Sequence, residues 1–415
     1  MFEVVDTDQA ALIAQIAALE NLKAKAAAAQ ARATAALDER RRAAEAAGMP
    51  AATRGRGLAA EIALARRESP NRGGRHLGFA RALVNEMPHT LAALECGALS
   101  EWRATLIVRE SACLSLADRR TLDAELCADP AGLEGKGDKR ITAAAKAIAY
   151  RLDPHAVIDR AARAPADRTV TIRPAPDTMT WVSALLPVAQ GVAVYAALKR
   201  AADTTFDGRS RGQVMADTLV ERLTGRPAEV AVPVAVNLVL TDDALLGGTT
   251  TPATISGCGP IPAVIARRMV DAALGDARSK ATLRRVYRHP ASGALLTMES
   301  RARRFPTGLA AFLDLRDQTC RTPYCDAPIR HHDHADPHQR GGPTSARNGL
   351  GTCEACNYAK EADGWQVTTD QDADGTHRAT ITTPTGATYT STAPPLPRAA
   401  VEPADDTAPP EAHAA

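Results

Sequence analysis

The sequence lacks the features that place a protein in a membrane or send it out of the cell. Its most apolar stretch, TWVSALLPVAQGVAVYAAL (180–198), is interrupted by Ser183, Pro187, Gln190 and Gly191. A membrane span needs about 20 consecutive apolar residues, so this stretch predicts a buried helix. The N-terminus MFEVVDTDQAAL has neither the basic flank nor the apolar core of a secretory leader. We therefore expect a cytoplasmic protein with no membrane partner.

Cysteine is scarce, with eight residues among 415, and its distribution is uneven. Four cysteines stand alone and are typical of small core side chains: Cys96, Cys113, Cys127 and Cys258. The others form two close pairs, Cys320-x4-Cys325 and Cys353-x2-Cys356, separated by 27 residues. A reducing cytoplasm disfavours disulfides, whereas two such pairs offer zinc four tetrahedral thiolates. The spacing predicts a structural Zn²⁺ site.

The net charge of +2 is small, but the charges are segregated. Residues 265–304 hold ten Lys and Arg against three acids, a local charge of +7, whereas residues 366–415 have a local charge of −5. Such a distribution fits a surface that meets a polyanion, with a plain solvated face as the alternative. The Arg cluster Arg301, Arg303 and Arg304 is the part we expect to contact phosphates.

Periodicity predicts a mostly helical N-terminal region. Residues 7–47 form one long helix with Thr7 or Asp8 as its N-cap and Gly48 as its stop, and this helix is a candidate contact for a homo-oligomer. Further helices are predicted between 69 and 222. Residues 232–240 are β-rich, 257–262 read as a turn, and 284–300 as two short strands. WQVTTD and HRATITTP, after Gly364, are predicted to pair as a hairpin, followed by a disordered end from about 391.

Residues 331–360 concentrate four His, two Asp, two Asn and two Cys in thirty positions. RHHDHADP predicts a short strand, HQRGGPTSARNG a polar loop, and TCEACNYAKEADG a helix. Strand, loop and helix bring Asp333 and His334 opposite Asn357. Carboxylate and amide oxygens suit Mg²⁺ or Mn²⁺, and an imidazole of pKa near ~6.5 can take a proton from water. These residues predict a hydrolytic site. His331, His332 and His338 are expected to be solvated or phosphate-contacting groups, with extra metal ligands as the alternative.

The pattern Cys-x4-Cys, Asp-His-x2-Pro, Gly-Gly-x-Thr-x3-Asn and Cys-x2-Cys-Asn-x2-Lys resembles the HNH endonuclease motif of the ββα-metal fold, in its zinc-stapled form. The chain as a whole is similar to bacterial proteins that place a helical domain of unknown function before an HNH domain, the 13E12 repeat family. The resemblance is most specific over 316–365. Before that segment it is general, resting on stretches such as RSRGQVMADTLVERL and GCGPIP.

The resemblance implies roles for single residues. His334 would be the general base, and Asp333 and Asn357 would hold a catalytic Mg²⁺ or Mn²⁺ at the scissile phosphate. Asn348 would brace the loop that carries the histidine, and Lys360 would touch phosphate. Gly341 and Gly342 would allow the close approach of that loop.

Two positions depart from the family pattern. Asn357 replaces the commoner histidine, and an amide oxygen can still bind Mg²⁺. Ala335 and Asp336 stand where apolar β-branched residues are usual, and the extra acid could alter metal affinity or repel phosphate.

The expected fold class is α+β, a predominantly helical N-terminal region followed by a small zinc-bound ββα-metal (HNH) domain. The expected domains are a long helix (1–50), a helical domain of unknown function (51–230), a basic α/β connector (231–300), the HNH domain (301–368), and a hairpin with an acidic tail (369–415). The expected function is metal-dependent hydrolysis of phosphodiester bonds in DNA. One alternative is a catalytically inactive zinc-ribbon protein that binds DNA or regulates. A second is a partner-binding protein whose helical region carries the function.

Overall fold

The computed structural model describes residues 8–46, 48, 54–228, 238–246, 248–255, 259–275, 299–300 and 304–396. Over these ranges the N-terminal region is mostly helical, and the C-terminal region carries small antiparallel sheets. The predicted α+β class is therefore confirmed. No helix within the described ranges is long and apolar enough to cross a membrane.

Seven helices form the first unit: α1 (Gln9–Ala46), α2 (Leu58–Ala65), α3 (Pro70–Glu86), α4 (Pro88–Cys96), α5 (Glu101–Ser111), α6 (Leu116–Cys127) and α7 (Asp138–Leu152). Asp8 caps α1, since its carboxylate accepts a hydrogen bond from the amide of Ala11 at 2.7 Å. Ala24, Ala28, Ala31 and Ala35 recur at helical spacing and are buried. Their small side chains let α3 and α4 pack closely on α1.

Two buried carboxylates fix the helices of this unit. Asp38 on α1 accepts two hydrogen bonds from Arg81 on α3, at 2.6 and 2.7 Å, and a third from Arg42. Arg81 holds the pKa of the Asp38 carboxyl below its usual value. Asp123 on α6 accepts the amides of His89 and Thr90 in the first turn of α4, both at 2.7 Å. A carboxylate from a distant helix thus supplies the N-terminal cap of α4.

The chain continues through α8 (Pro154–Arg163) into a hairpin of β1 (Thr169–Pro174) and β2 (Thr180–Leu185), then α9 (Val188–Thr204) and α10 (Arg211–Thr224). The predicted buried helix over 180–198 is wrong on two counts. Its first part is a strand, paired with β1 from Thr180 to Leu185. The helix that follows Pro187 is largely exposed. The proline separates the apolar run into a strand and a helix. Whether each element is buried depends on which other elements pack against it.

A small sheet of β3 (Leu238–Val239), β4 (Ala253–Ile255) and β5 (Gly259–Ile261) follows, with α11 (Asp242–Leu245) and α12 (Ala263–Gly275). The predicted turn over 257–262 contains a strand, because Gly259–Ile261 pairs with β4. Residues 232–237 and most of the predicted strands over 284–300 lie outside the described residues. At the end of that segment, Glu299–Ser300 forms the short strand β6.

The C-terminal unit begins with α13 (Thr307–Asp317) and contains β7 (His331–His334), β8 (Thr344–Ser345), β9 (Gly349–Thr352) and α14 (Glu354–Lys360). β7 pairs antiparallel with β9, which sets His331 against Thr352 and His334 against Gly349. α14 packs on β7, so the two paired strands and the helix form one packed group. The predicted strand, loop and helix occur in that order.

A three-stranded sheet of β10 (Gln366–Gln371), β11 (His377–Thr382) and β12 (Thr388–Thr392) completes the unit. β10 and β11 form the predicted hairpin. The third strand was not predicted, and it extends past 391, where we expected disorder to start. Residues 397–415, the rest of the expected disordered tail, lie outside the described residues.

The helical unit and the C-terminal unit meet at α2. Ala60 and Leu64 pack with Trp365 and Ile381. Glu61 Oε1 accepts the amide of Thr385 at 3.1 Å, across 324 residues of sequence.

Candidate functional site

The four paired cysteines converge in one buried cluster. The Sγ atoms of Cys320, Cys325, Cys353 and Cys356 all lie within 4.8 Å of one another, and those of Cys325 and Cys353 are 3.7 Å apart. Four sulfurs bound at about 2.3 Å to one tetrahedral Zn²⁺ would be roughly 3.8 Å apart. The donor set and its spacing therefore fit a structural zinc ion.

Local backbone structure presents these thiols. The amide of Cys320 donates to Ala327 O at 2.9 Å and that of Cys325 to Thr322 O at 3.0 Å, so the first pair sits on a tight knuckle. Cys353 is the N-cap of α14, and its Sγ accepts the amide of Cys356 at 3.5 Å. Hydrogen bonds among the four thiols lower the pKa of Cys353 and Cys320 and raise the pKa of Cys325 and Cys356. A thiolate is the form that binds zinc.

Asp333 and His334 stand side by side at the end of β7. The Asp333 carboxylate accepts the amide of His334 at 2.8 Å, and its Oδ1 lies 3.9 Å from His334 Nδ1. His334 Nε2 is 2.8 Å from the hydroxyl oxygen of Thr344 on β8, and the imidazole packs against Phe305. His334 is buried, so these contacts fix the orientation of its ring.

Lys360, the last residue of α14, joins the helix to this strand end. Its Nζ lies 2.7 Å from Asp333 Oδ2 and 2.6 Å from Glu361 Oε1, and it donates to His334 O at 3.1 Å. Lys360 was predicted to touch phosphate. In the structure its ammonium neutralises the carboxylate expected to bind the catalytic cation.

Asn348 holds the loop between Asp336 and Pro343. Its Oδ1 accepts the amide of Asp336 at 2.8 Å, and its Nδ2 donates to Asp336 O and Pro343 O at 3.0 and 2.9 Å. A Cβ on Gly342 would lie 1.9 Å from Asp336 O, so glycine is required where the loop folds back. Gly341 has a φ of 94°, which also favours glycine.

Asn357 lies one turn before Lys360 on α14 and is half-buried. The Thr352 hydroxyl donates to Asn357 Oδ1 at 3.4 Å, which ties the amide to the last residue of β9. Residues three apart on a helix share one face, so Asn357 and Lys360 are neighbours. Asn357 and Lys360 therefore lie on one face of α14, and Lys360 contacts Asp333 and His334.

The other histidines of the segment have separate contacts. His332 Nε2 is 2.7 Å from Asp314 Oδ1 on α13. The ring of His331 lies 6.2 Å from that of Tyr358, and the ring of His338 lies 5.6 Å from that of His334. His338 is therefore the one of the three with a ring contact to His334.

The predicted basic contacts are only partly described. Arg301 and Arg303 lie outside the described residues, and Arg304 is exposed. Sequence reasoning missed Arg340, which is exposed in the 3₁₀ turn His338–Arg340 just beyond the strand end. The sequence signal for Arg340 was the stretch HQRGGP, which puts an arginine in the polar loop shortly after Asp333 and His334.

Sequence reasoning also missed a buried charged network beneath the site. Asp317 Oδ1 accepts Arg316 at 2.7 Å and Arg321 at 3.0 Å, and its Oδ2 accepts the amide of Gly351 on β9 at 2.7 Å. Burial alone would raise the pKa of the Asp317 carboxyl, but the two guanidinium groups lower it. Burial, and then the charge of Arg316, lowers the pKa of His377 to about 4. The network links α13, the first cysteine knuckle, β9 and the last sheet.

Comparison with known proteins finds one family. The model of a domain of unknown function, DUF222, matches residues 16–317. No curated protein and no solved structure matches the chain. The matched segment ends at Asp317, so the cysteine cluster and the residues around His334 lie beyond it.

Proposed function

We propose that this chain, which belongs to the DUF222 family, is a metal-dependent DNA endonuclease of the HNH type whose site lies beyond the family domain, at 331–360. The observation that carries the proposal is the strand end of β7. There a carboxylate and an oriented imidazole adjoin α14, whose Lys360 ammonium contacts the carboxylate and which also carries Asn357. A cysteine cluster that serves only to stabilise the fold requires none of these groups.

His334 is the proposed general base. The Thr344 hydroxyl engages Nε2 and thereby sets the direction of the ring, while Nδ1 faces the Asp333 carboxylate at 3.9 Å. A neutral imidazole can accept a proton from water. A base held in this way needs no reorientation when the water attacks phosphorus.

Asp333 and Asn357 are the proposed protein ligands of Mg²⁺ or Mn²⁺. Mg²⁺ sites commonly use one or two carboxylates, with water and substrate phosphate completing the shell, so this small donor set fits. A bound divalent cation would supply charge stabilisation at the phosphate and leaving oxygen. When the cation binds, the Lys360 ammonium would break its contact with Asp333. It would then lie at the DNA backbone with the exposed Arg304 and Arg340.

The proposed role of zinc is structural. Cys320 and Cys325 precede β7, whereas Cys353 and Cys356 begin α14. One ion bound to all four would fix the strand that carries His334 relative to the helix that carries Asn357 and Lys360.

The test is nicking of supercoiled plasmid with Mg²⁺ or Mn²⁺ by the wild type, His334→Ala and His332→Ala. The control residue His332 lies on the same strand but pairs with Asp314. Loss of a general base typically costs 10²–10⁴-fold in rate, so His334→Ala should be slower by about that factor. His332→Ala should cut like the wild type. Equal cleavage by wild type and His334→Ala would end the proposal.

The Lys360–Asp333 contact at 2.7 Å favours one second candidate, a protein that binds DNA without cutting it. An ammonium that stayed on Asp333 would exclude the divalent cation. This alternative predicts salt-dependent DNA binding with no turnover, and affinity unchanged in His334→Ala.

A further inference from the structure

The hairpin-helix module, defined as β1, β2, α9 and α10 (residues 169–224), is almost entirely exposed. Its buried side chains are those of Ala202 and Val214. The module nevertheless holds about half of the exposed large apolar side chains of the described residues. A module with so little core of its own requires a partner surface.

The apolar side chains form ordered stripes. In the hairpin, Ile172 pairs with Val182, and Val170 pairs with Ala184 on the same face. Ile172 is 72% exposed. On α9, Val188, Val192 and Tyr195 recur with the spacing of one helix face, and each is exposed. Such stripes are typical of surfaces that pack against another element.

We propose that a second copy of this chain covers the hairpin-helix module and that the protein is a homodimer through it. The two packed helices α9 and α10 are half of a four-helix bundle, and two strands fall short of the three or more that a stable sheet needs. One two-fold axis completes both at once, because each copy supplies the same two helices and the same hairpin.

The charge of the module agrees with self-association. Residues 169–224 carry six Lys and Arg against five Asp and Glu, a net charge of +1. Two copies therefore meet without strong repulsion, whereas the surface has little attraction for a polyanion or a strongly charged partner.

The available area also agrees. A large apolar side chain removes on the order of 100 Å² from water when it is buried. If both faces of the hairpin are covered together with the helices, about a dozen such side chains, each roughly two-thirds exposed, offer on the order of 800 Å², which is what each partner of a standard stable interface contributes.

This interface differs from the one expected from the sequence, which was the N-terminal helix. Ile13 and Ile16 on α1 are 66% and 63% exposed, close to the 64% of Val192 on α9. Glutamate substitutions at the two places are therefore matched in exposure and chemistry. Their comparison distinguishes the two interfaces.

The experiment is light scattering on the full-length wild type, on Val192→Glu with Tyr195→Glu, and on Ile13→Glu with Ile16→Glu. The wild type should have a mass of about 87 kDa, twice the 43.6 kDa of one chain. The α9 variant should have half that mass with unchanged helical circular dichroism, and the α1 variant should remain dimeric. A monomeric wild type, or a dimer lost only in the α1 variant, overturns the proposal.

A second measurement needs no variant, in case the substitutions impair folding. Amide exchange of β1, β2 and α9 in the wild type should slow as protein concentration rises through the dissociation constant. Protection that is independent of concentration in a monomeric protein would mean that the chain covers the module itself. Protection that appears only with a different bound protein would mean a heterologous partner. Either result refutes the homodimer.

Discussion

Removal of the Glu61 side chain should separate the C-terminal unit from the helices. Glu61 is only 4% exposed, although it is charged. One oxygen lies 2.8 Å from Arg41 Nη2, and the other accepts both the amide and the hydroxyl of Thr385. A single carboxylate thus joins α1, α2 and the turn after β11.

The magnitude follows from what Glu61→Ala leaves behind. Arg41 would keep its charge with 15% of its side chain exposed, and the Thr385 amide would lose its acceptor. Breaking a buried ion pair by removing one partner costs about 3–5 kcal/mol. Glu61→Gln retains an acceptor for Thr385 and should cost about 1–3 kcal/mol. The control is Glu20→Ala, which removes an exposed pair with Lys23 worth about 0–1 kcal/mol.

Tryptophan fluorescence during urea unfolding measures this loss. Of the three tryptophans, Trp102 and Trp181 are 56% exposed, whereas Trp365 is buried against Ala60 and Leu64. The change in emission therefore reports mainly on the joint between the units. If Glu61→Ala shifts the urea midpoint no more than Glu20→Ala does, the carboxylate does not hold the joint.

The same joint should weaken in acid. Burial would raise the pKa of Glu61, but hydrogen bonds from Thr385 and Arg41 bring it below 4.5. A carboxyl with a lowered pKa in the folded state stabilises the protein above its unfolded pKa and loses that effect as the pH falls through the folded value. The Trp365 transition should therefore shift to lower urea below pH 4.5 in the wild type, and less so in Glu61→Gln.

Three further predictions concern the C-terminal unit. The purified chain should carry one zinc per molecule by elemental analysis. Cys356→Ser should lose both the metal and the folded state of this unit. The control Cys96→Ser, at an exposed cysteine outside the cluster, should lose neither. Asp317→Asn should lower stability to urea by about 3–5 kcal/mol, because it leaves two buried guanidinium groups without a full counter-charge; a loss below 1 kcal/mol would contradict the network. His377, with a pKa lowered from 6.5 to about 4, should make the wild type less stable as the pH falls from 6.5 to 4, because the unfolded chain takes up a proton there first. His377→Gln should flatten that dependence.

Local chemical signals predicted much of the fold and the candidate site. Cysteine spacing predicted the cluster, and Asp8, one of the two predicted caps, begins the first helix. These signals work because capping and metal binding depend on residues close together in sequence. The scattered cysteines were predicted less well: Cys127 is buried, Cys96 is exposed, and Cys258 lies outside the described residues.

Interactions between distant residues had no such signal. Arg321 and His377 are 56 residues apart, and Glu61 and Thr385 are 324 apart, yet both pairs are in direct contact. From the sequence alone, a charged residue is predicted to lie at the surface, because its burial depends on partners that only the fold brings close. The prediction of a buried helix over 180–198 was wrong for the opposite reason. It is hydrophobic enough for a core, but its own chain buries little of it.

The β7 strand spans four residues and α14 spans seven, so neither would persist alone in water. The cysteine cluster holds the start of α14, and the Asp317 network holds β9. The third support comes from Ala60 and Leu64 of α2, which pack with Ala359 of α14 and with Trp365. The last of these supports belongs to the helical unit. A fragment of residues 301–415 would therefore expose Trp365, and under the proposed function it should nick DNA more slowly than the full chain even with zinc bound. A fragment with full activity would show that the helices contribute nothing to the geometry of the site.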